Sequence, residues 1–188
     1  MHDVRPAAVA GTFYPGNAAE LAVAVRECLA GTAAPVAPAA SPKALIVPHA
    51  GYVYSGPIAA GAYARLASLR STIRRVVILG PTHRVAVRGL ALPSARAFAT
   101  PLGEVEVDRV AVATLAGLRQ VVVSDSAHAL EHSLEVQLPF LQSVLDDFRI
   151  VPLAVGDASP GEVAEVLDRL WGGPETLVVV SSDLSHFH

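Results

Sequence analysis

Short continuous apolar runs alternate along the chain with longer segments in which apolar residues recur at helical spacing. The runs have the pattern of strands buried on both faces of a sheet, and they lie at residues 44–47, 75–80, 120–123, 148–155 and 177–182. The first helical segment follows Asn17, a good N-cap, and carries Leu21, Val25 and Leu29 on one stripe. This alternation predicts an α/β fold with a mostly parallel central sheet and helices on both of its faces.

Prolines mark where two of the helices are expected to begin or break. Pro57 suits the first turn of a helix, so we expect a helix over 58–69 and a loop before it. The segment 134–145 is expected to be mostly helical, with a kink or a break near Gln137 because Pro139 lies inside it.

Composition narrows the class of protein. Hydrophobic residues make up 52% of the 188 residues and charged residues 16%, with a mean hydropathy of +0.46, which is too apolar for a disordered chain. The longest segment without Lys, Arg, Asp or Glu, residues 44–64, contains two prolines, three glycines and a histidine, so we do not expect a membrane span. A net charge of −3 without a basic block, and 5% aromatic residues, argue against a nucleic-acid-binding surface.

The single cysteine, Cys28, gives information about compartment and packing. One cysteine excludes an internal disulfide and fits a reducing compartment. No signal peptide pattern is visible at the N-terminus, so a cytoplasmic location is expected. Cys28 lies on the apolar stripe of the first helix, and we expect a buried thiol at a helix–sheet interface.

Three of the apolar runs are followed at once by residues that can bind a metal. His49 follows the first run, His83 follows the second, and Asp183 and His186 follow the last. Because the carboxyl ends of parallel strands meet at one edge of a sheet, we expect these side chains to share one site. Imidazoles with a carboxylate form the open-sided sites of non-heme iron enzymes, and zinc uses the same ligands.

A second group of polar residues lies further along the chain. On a helix, His128, Glu131, His132 and Glu135 would share one face. The spacing matches the H-x-x-E-H pattern of inverted zinc peptidases, in which two histidines bind zinc and the glutamate activates water. The alternatives are a solvated helix start, or a pocket role in which Glu131 orients a metal-bound imidazole and His132 lines the same pocket.

Two tyrosines follow His49 in a segment that we expect to be a loop. Tyr52 and Tyr54 lie three and five residues after His49, and a pocket role is expected for one of them. We assign Tyr54 to the pocket, with core or surface packing as the alternative.

Five stretches of the sequence carry a family resemblance. They are VAGTFYP at 9–15, PHAGYVYSG at 48–56, LGPTH at 79–83, EHSLEVQLPF at 131–140 and SSDLSH at 181–186. In their residues and in their order along the chain, these stretches resemble the Memo family, whose prokaryotic members are called AmmeMemoRadiSam system protein B. The resemblance implies one Memo-like domain over 1–188 with a fold like that of class III extradiol dioxygenases, which are non-heme iron enzymes. It also implies metal ligands at His49 and His83, with Asp183 and His186 as catalytic residues of the same pocket.

The chain departs from the family at one expected ligand. The family's third metal ligand is a cysteine well beyond the motif that contains Asp183 and His186, and the 188 residues do not reach it. Cys28, on a core stripe, cannot simply replace it. We therefore expect a domain that is incomplete at its C-terminal side or closed by a partner. Two neutral imidazoles hold a divalent ion poorly, so we also expect weak metal binding.

Three functions remain open from the sequence. The first is a metal-dependent redox or dioxygenase-like protein acting on a small organic substrate, with iron as the first choice and copper or zinc as alternatives. The second is a non-catalytic pocket that binds a peptide or small ligand, because the family includes members described as adaptors that recognise phosphotyrosine peptides. A phosphate pocket needs convergent cations, and only Arg84 beside His83 is an obvious candidate. The third is a zinc metallohydrolase built on His128, Glu131 and His132. The resemblance also implies radical-SAM and AMMECR-type partners.

Overall fold

The computed structural model describes residues 3–32 and 41–184. Its strands are β1 Val4–Arg5, β2 Ala44–Val47, β3 Arg75–Pro81, β4 Leu90–Leu92, β5 Ala97–Thr100, β6 Gly103–Glu106, β7 Val121–Val123, β8 Arg149–Val155 and β9 Thr176–Ser181. Its helices are α1 Ala18–Ala30, α2 Tyr52–Tyr63, α3 Arg109–Ala113, α4 Asp125–Ala129, α5 Leu138–Val144 and α6 Pro160–Leu170. Turns of 3₁₀ helix occupy Ala64–Leu69 and Glu135–Gln137.

The strands form two sheets. The larger sheet has six strands in the order β2-β9-β3-β8-β4-β7, and the smaller has three in the order β1-β5-β6. In the larger sheet β4 and β8 run antiparallel, whereas the other neighbouring strands run parallel. The α/β class predicted from the alternation of apolar runs and helical segments is confirmed.

Side chains of the central strands alternate between two cores. Val76 and Ile78 of β3 belong to the larger core, which also contains buried residues of α1, α2 and α5. Val77 and Leu79 belong to the other core, with buried residues of α3 and α6. Successive strand residues point to opposite faces of a sheet, so the continuous apolar run of β3 serves both cores at once.

Helix α2 begins earlier than the proline suggested. It starts at Tyr52, and Pro57 lies inside it, so the prediction of a loop up to Pro57 is wrong. The N–H of Tyr52 has no acceptor within the helix because it lies in the first turn. It donates instead to the carbonyl of Phe13 at 2.8 Å, and the Ser55 N–H donates to the Gly51 carbonyl at 3.0 Å. The first of these contacts comes from a segment far away in sequence, which no local pattern reveals.

The predicted break near Gln137 is confirmed. A 3₁₀ turn ends at Gln137 and α5 begins at the next residue, with Pro139 in its first turn. Proline is tolerated there because the N–H that it lacks has no partner within the helix.

The thiol of Cys28 is partly buried and packs against another helix. Its Sγ lies 3.0 Å from the point that a Cβ on Gly56 of α2 would occupy. The expected helix–sheet position of Cys28 is therefore corrected to a contact between α1 and α2. The absence of a side chain at Gly56 makes room for the sulfur.

No helix within residues 3–32 and 41–184 combines the length and the apolar character that a membrane crossing requires. The assignment of residues 1–188 to one domain, and the cytoplasmic location, stay predictions.

Candidate metal centre

Three neighbouring strands deliver polar residues to one edge of the larger sheet. Strand β9 pairs in parallel with both β2 and β3, and His49, His83 and Asp183 each follow their strand by two residues. The N–H of His49 donates to Asp183 Oδ1 at 2.7 Å. The rings of His49 and His83 have centroids 5.2 Å apart. The structure thus brings together three of the four residues that were expected to share a site after these strands, namely His49, His83 and Asp183.

A third histidine, His132, completes the group. Its ring stacks on His83 with centroids 4.5 Å apart and meets the ring of His49 edge-on at 5.5 Å. Each of the three side chains offers one ligand atom, and these atoms all lie within 4.8 Å of one another. We call His49, His83 and His132 the three-histidine cluster. Its geometry is able to hold a metal ion.

The carboxylate of Glu131 determines how the chain presents His132. Helix α4 ends at Ala129, and Glu131 Oε1 then accepts the N–H groups of His132 and Ser133, each at 2.9 Å. These donors bond the carboxylate instead of the carbonyls of a continuing helix. The chain therefore turns out of the helical path immediately before His132.

The same carboxylate fixes His83. Glu131 Oε1 lies 2.9 Å from His83 Nδ1, and Oε2 accepts the His83 N–H at 2.6 Å. Burial opposes ionisation of Glu131, but hydrogen bonds from Ser133 and His83 outweigh it and lower the pKa to about 2. An ionised carboxylate only accepts hydrogen bonds, so in the neutral ring of His83 the proton lies on Nδ1 and the lone pair on Nε2. This is the arrangement that a metal-ligating imidazole requires.

Burial keeps the other two imidazoles neutral. It lowers the pKa of His49, an effect that the negative charge of Asp183 partly opposes. Burial likewise lowers the pKa of His132, against the opposing charge of Glu131. The neutral imidazole is the form that binds metals. His49 is fully buried, whereas the side chain of His83 is 34% exposed, so the cluster opens to solvent on the side of His83.

The alternative prediction of a zinc peptidase site, with the H-x-x-E-H residues on one helix, is wrong. Helix α4 covers only Asp125–Ala129, so His128 and His132 do not share a helical face. His128 is buried, its Nε2 lies 2.9 Å from the carbonyl oxygen of Ala91, and its ring meets that of Phe98. His128 therefore packs against β4 and β5 and is not part of the cluster.

Two other assigned residues do not gain a role from the geometry. Tyr54 lies in the first turn of α2 and is 81% exposed, whereas Tyr52 is buried and donates its hydroxyl to the Val136 carbonyl at 2.7 Å. The pocket role of Tyr54 stays a prediction. His186 lies outside the described residues, and its catalytic role stays a prediction as well.

Three residues at the site had no assigned role from the sequence. The ring of Phe13 lies 4.6 Å from that of His132, so the N-terminal arm forms one wall of the site. Gln137 and Ser181 are buried behind His49 and hydrogen-bonded to each other. The sequence signal for all three was their place within stretches that resemble the Memo family, because their contacts depend on the tertiary fold.

The fold and the site define an α/β protein with a candidate metal centre at the carboxyl edge of its larger sheet. Residues 5–188 match the family model described as Memo-like protein. The chain belongs to this family.

Curated relatives agree with that assignment. A MEMO1 family protein of Ignicoccus hospitalis is 42% identical over 200 residues, covering 98% of this chain and 69% of the relative. One from Thermotoga neapolitana is 37% identical, covering 98% of this chain and 71% of the relative. One from Aquifex aeolicus is 39% identical, covering 98% and 68%.

Proposed function

We propose that this Memo-family chain is a metal-dependent redox protein that acts on a small organic substrate. The metal would be held by His49, His83 and His132, with iron as the first choice and copper or zinc as alternatives. The observation that carries the proposal is the convergence of three imidazoles whose ligand atoms lie within 4.8 Å of one another. The Memo-family resemblance implies a fold like that of class III extradiol dioxygenases, which are non-heme iron enzymes, and this supports the redox class.

The donor set fits such an ion. Imidazole nitrogen suits iron, copper and zinc, and three protein ligands leave coordination positions open for a substrate. A bound metal would supply Lewis acidity and, for iron or copper, electron transfer. The expectation of weak binding rested on two imidazoles, and His132 supplies a third.

The position of Asp183 supports two roles, compensation of the metal charge and transfer of a proton. Its Oδ2 lies 3.7 Å from His49 Nε2, so its negative charge offsets that of a cation held by three neutral ligands. We assign Asp183 as the group that holds or moves a proton at the substrate, with His186 as its partner in that role.

The electrostatics disfavour the alternative of a phosphate-binding pocket. The carboxylates of two residues flank the cluster: Asp183 contacts His49, and Glu131 contacts His83 and His132. A phosphate group would meet two negative charges there rather than convergent cations. The same charges favour a metal cation.

Family resemblance supports two partners, and the single cysteine supports a location. We propose a radical-SAM protein and an AMMECR-type protein as partners, and the cytoplasm as the location. Co-purification of tagged protein with such partners from native cells would test the pairing.

Titration of metal into this 188-residue chain tests the proposed function. Fe(II), Cu(II) and Zn(II) are added separately to metal-free protein, and Cu(II) electron paramagnetic resonance reports nitrogen ligands. We expect one site per chain, and a loss of about 100-fold or more in affinity for His49→Ala, His83→Ala or His132→Ala, because even outer-shell partners contribute 10–100-fold. His128→Gln, which removes a histidine outside the cluster, is the matched control and should bind normally. Folded wild-type protein that binds none of the three metals would overturn the proposal.

A further inference from the structure

A buried series of hydrogen bonds lies behind the three-histidine cluster and ends at His49. It consists of Tyr63, Gln137 and Ser181, which are 0%, 1% and 2% exposed. The Tyr63 hydroxyl donates to Gln137 Oε1 at 2.9 Å, and Gln137 Nε2 donates to Ser181 Oγ at 2.8 Å. Ser181 Oγ lies 3.1 Å from His49 Nδ1. Because all these groups are buried, each proton in the series must have a defined acceptor.

A backbone carbonyl fixes the orientation of the Gln137 amide. Gln137 Nε2 lies 3.0 Å from the carbonyl oxygen of Pro48. A carbonyl only accepts hydrogen bonds, so the amide nitrogen must face Pro48 and the amide oxygen must face Tyr63. The second N–H of the amide then points at Ser181, whose oxygen accepts it.

A second backbone carbonyl fixes the proton of Ser181. Ser181 Oγ donates to the carbonyl of Ser133 at 2.6 Å. A serine hydroxyl has one proton and two lone pairs. Because the hydroxyl proton of Ser181 points at the Ser133 carbonyl, Ser181 Oγ can only accept hydrogen bonds from Gln137 and from His49. The proton between Ser181 and His49 therefore belongs to His49 Nδ1.

The opposite tautomer of His49 has no good partner. An Nε2–H would face Asp183 Oδ2, which lies 3.7 Å away, beyond hydrogen-bond range. That tautomer would also place the unprotonated Nδ1 against a serine oxygen that has no proton to give. Both contacts favour the Nδ1–H form.

We infer that Ser181 and Gln137 are positioning residues that hold His49 in the Nδ1–H tautomer and so present the Nε2 lone pair to the cluster. The inference rests on the proposed function, because the lone pair gains its use from a bound metal. At the open side of the cluster, the Glu131 carboxylate holds His83 in the Nδ1–H tautomer in the same way. The Nδ1 of His49 faces Ser181, which is buried, and an ionised carboxylate at that position would carry a desolvation penalty. A neutral series anchored on two carbonyls orients the imidazole without that charge.

Nitrogen-15 NMR of the histidine rings in metal-free protein, together with metal titration, tests the inference. In the wild type, His49 should be protonated at Nδ1 and unprotonated at Nε2. Ser181→Ala removes the acceptor, so His49 should shift toward the Nε2–H form and the affinity for Zn(II) should fall 10–100-fold. Ser181→Thr retains the hydroxyl and should restore both. Should the alanine variant fail to fold, Ser181→Cys, a weak acceptor, gives the same two readouts.

A matched control separates positioning from general stability. Ser55 Oγ is buried and donates to the Ala50 carbonyl at 2.6 Å, in the segment next to His49. Ser55→Ala therefore loses one buried serine hydrogen bond and should leave the tautomer of His49 and the affinity for Zn(II) unchanged.

The outcomes distinguish the two proposals. A wild-type His49 protonated at Nε2, or a Ser181→Ala variant that keeps the Nδ1–H form, overturns the inference whatever metal binds. A wild type that binds Zn(II) and a Ser181→Ala variant that binds it as tightly also overturn the inference, while the metal centre stands. A wild type with the Nδ1–H form that binds no metal supports the tautomer assignment and overturns the proposed function.

Discussion

Glu131 holds His83 at two points, the ring Nδ1 at 2.9 Å and the backbone N–H at 2.6 Å. The two contacts fix the rotation of the imidazole and the path of the loop after β3 together. Since Glu131 also accepts the N–H groups of His132 and Ser133, one carboxylate sets the relative position of two of the three histidines. It also stays ionised, because these hydrogen bonds lower its pKa despite burial.

Glu131→Gln should therefore weaken metal binding more than it changes the fold. The amide has the size of the carboxylate, but its NH₂ group cannot accept N–H donors on both sides. We expect a loss of 10–100-fold in metal affinity, measured by competition titration with Zn(II). Glu27→Gln, which neutralises an exposed carboxylate on α1, is the control and should bind as the wild type does. Unchanged affinity in a folded Glu131→Gln variant would show that His83 needs no carboxylate partner.

His128 gives the protein a pH-dependent stability that is separate from the cluster. Its Nε2–H donates to Ala91, while its buried Nδ1 has no hydrogen-bond partner among the described residues. Burial lowers the pKa of His128 from 6.5 to about 4, assisted by the positive charge of Arg5 and opposed by the Ala91 hydrogen bond and the charges of Asp125 and Glu131. The folded state therefore resists protonation of this ring.

The sign of the effect follows from the two pKa values. Between about pH 4 and 6.5 the unfolded chain binds a proton at His128 that the folded chain excludes, so stability falls as the pH falls through this window. The full effect is roughly 3 kcal/mol, from 1.36 kcal/mol per pKa unit. Urea unfolding at pH 7 and at pH 4.5 measures most of this effect. His128→Gln should show a smaller loss between the two pH values, and an equal loss would assign the effect to other groups.

How far the sequence predicted the site depends on the range of the contacts involved. His49, His83 and Asp183 were predicted because each follows an apolar run that pairs in parallel, a local pattern with one geometric consequence. His132 was assigned to the pocket or, in the alternative, to a zinc site with His128. It was not predicted as a ligand beside His49 and His83, because its position depends on Glu131 turning the chain out of a helix. Gln137 is positioned by the Pro48 carbonyl, a contact across 89 residues.

The fold shows the same division between local and distant contacts. The break before α5 was predicted because Pro139 acts on its own helix. The start of α2 was not predicted, because the carbonyl of Phe13 satisfies the first turn from another part of the chain. Cys28 was expected against the sheet, since its apolar stripe predicts burial without naming the partner. The sulfur packs against Gly56, and a glycine has no side chain that would contribute to a hydrophobic pattern in the sequence.

Loss of the Glu135 carboxylate should strongly destabilise the fold. It is fully buried, pairs with Arg5, and accepts hydrogen bonds from the N–H groups of Ala8 and Val9 and from the Tyr14 hydroxyl. Glu135→Gln leaves the Arg5 cation buried without its counter-charge and turns amide hydrogens toward N–H donors. We expect a loss of about 3–5 kcal/mol in the free energy of unfolding.

Chemical denaturation checks this value, with an exposed carboxylate as reference. Glu27→Gln should change the unfolding free energy by less than about 0.5 kcal/mol, as for most surface substitutions. Arg5 also donates to the carbonyls of His128 and Glu131, so Glu135→Gln should weaken metal binding too. A loss below about 1 kcal/mol would mean that the pair gives little net stability, as in proteins where desolvation offsets the charge attraction.

Gly80→Ala should couple a packing defect to the metal centre. Gly80 lies in β3 three residues before His83, and a Cβ there would come within 2.8 Å of Ser133 Oγ and 2.9 Å of Leu134 Cδ2. Ser133 is fully buried and its hydroxyl donates to the Pro81 carbonyl at 2.8 Å, so the methyl group must displace Ser133 and Leu134 in the segment that carries His132. Overpacking of this kind destabilises by about 1–3 kcal/mol, and we expect a lower melting temperature together with weaker Zn(II) binding.

Gly61→Ala is the matched control, because a Cβ at Gly61 in α2 meets no atom within 4 Å and alanine is favoured over glycine inside a helix by roughly 0.5–1 kcal/mol. The control should melt at or above the wild-type temperature and bind Zn(II) normally. If Gly80→Ala matches it in both measurements, the distance between β3 and the His132 segment does not govern the cluster.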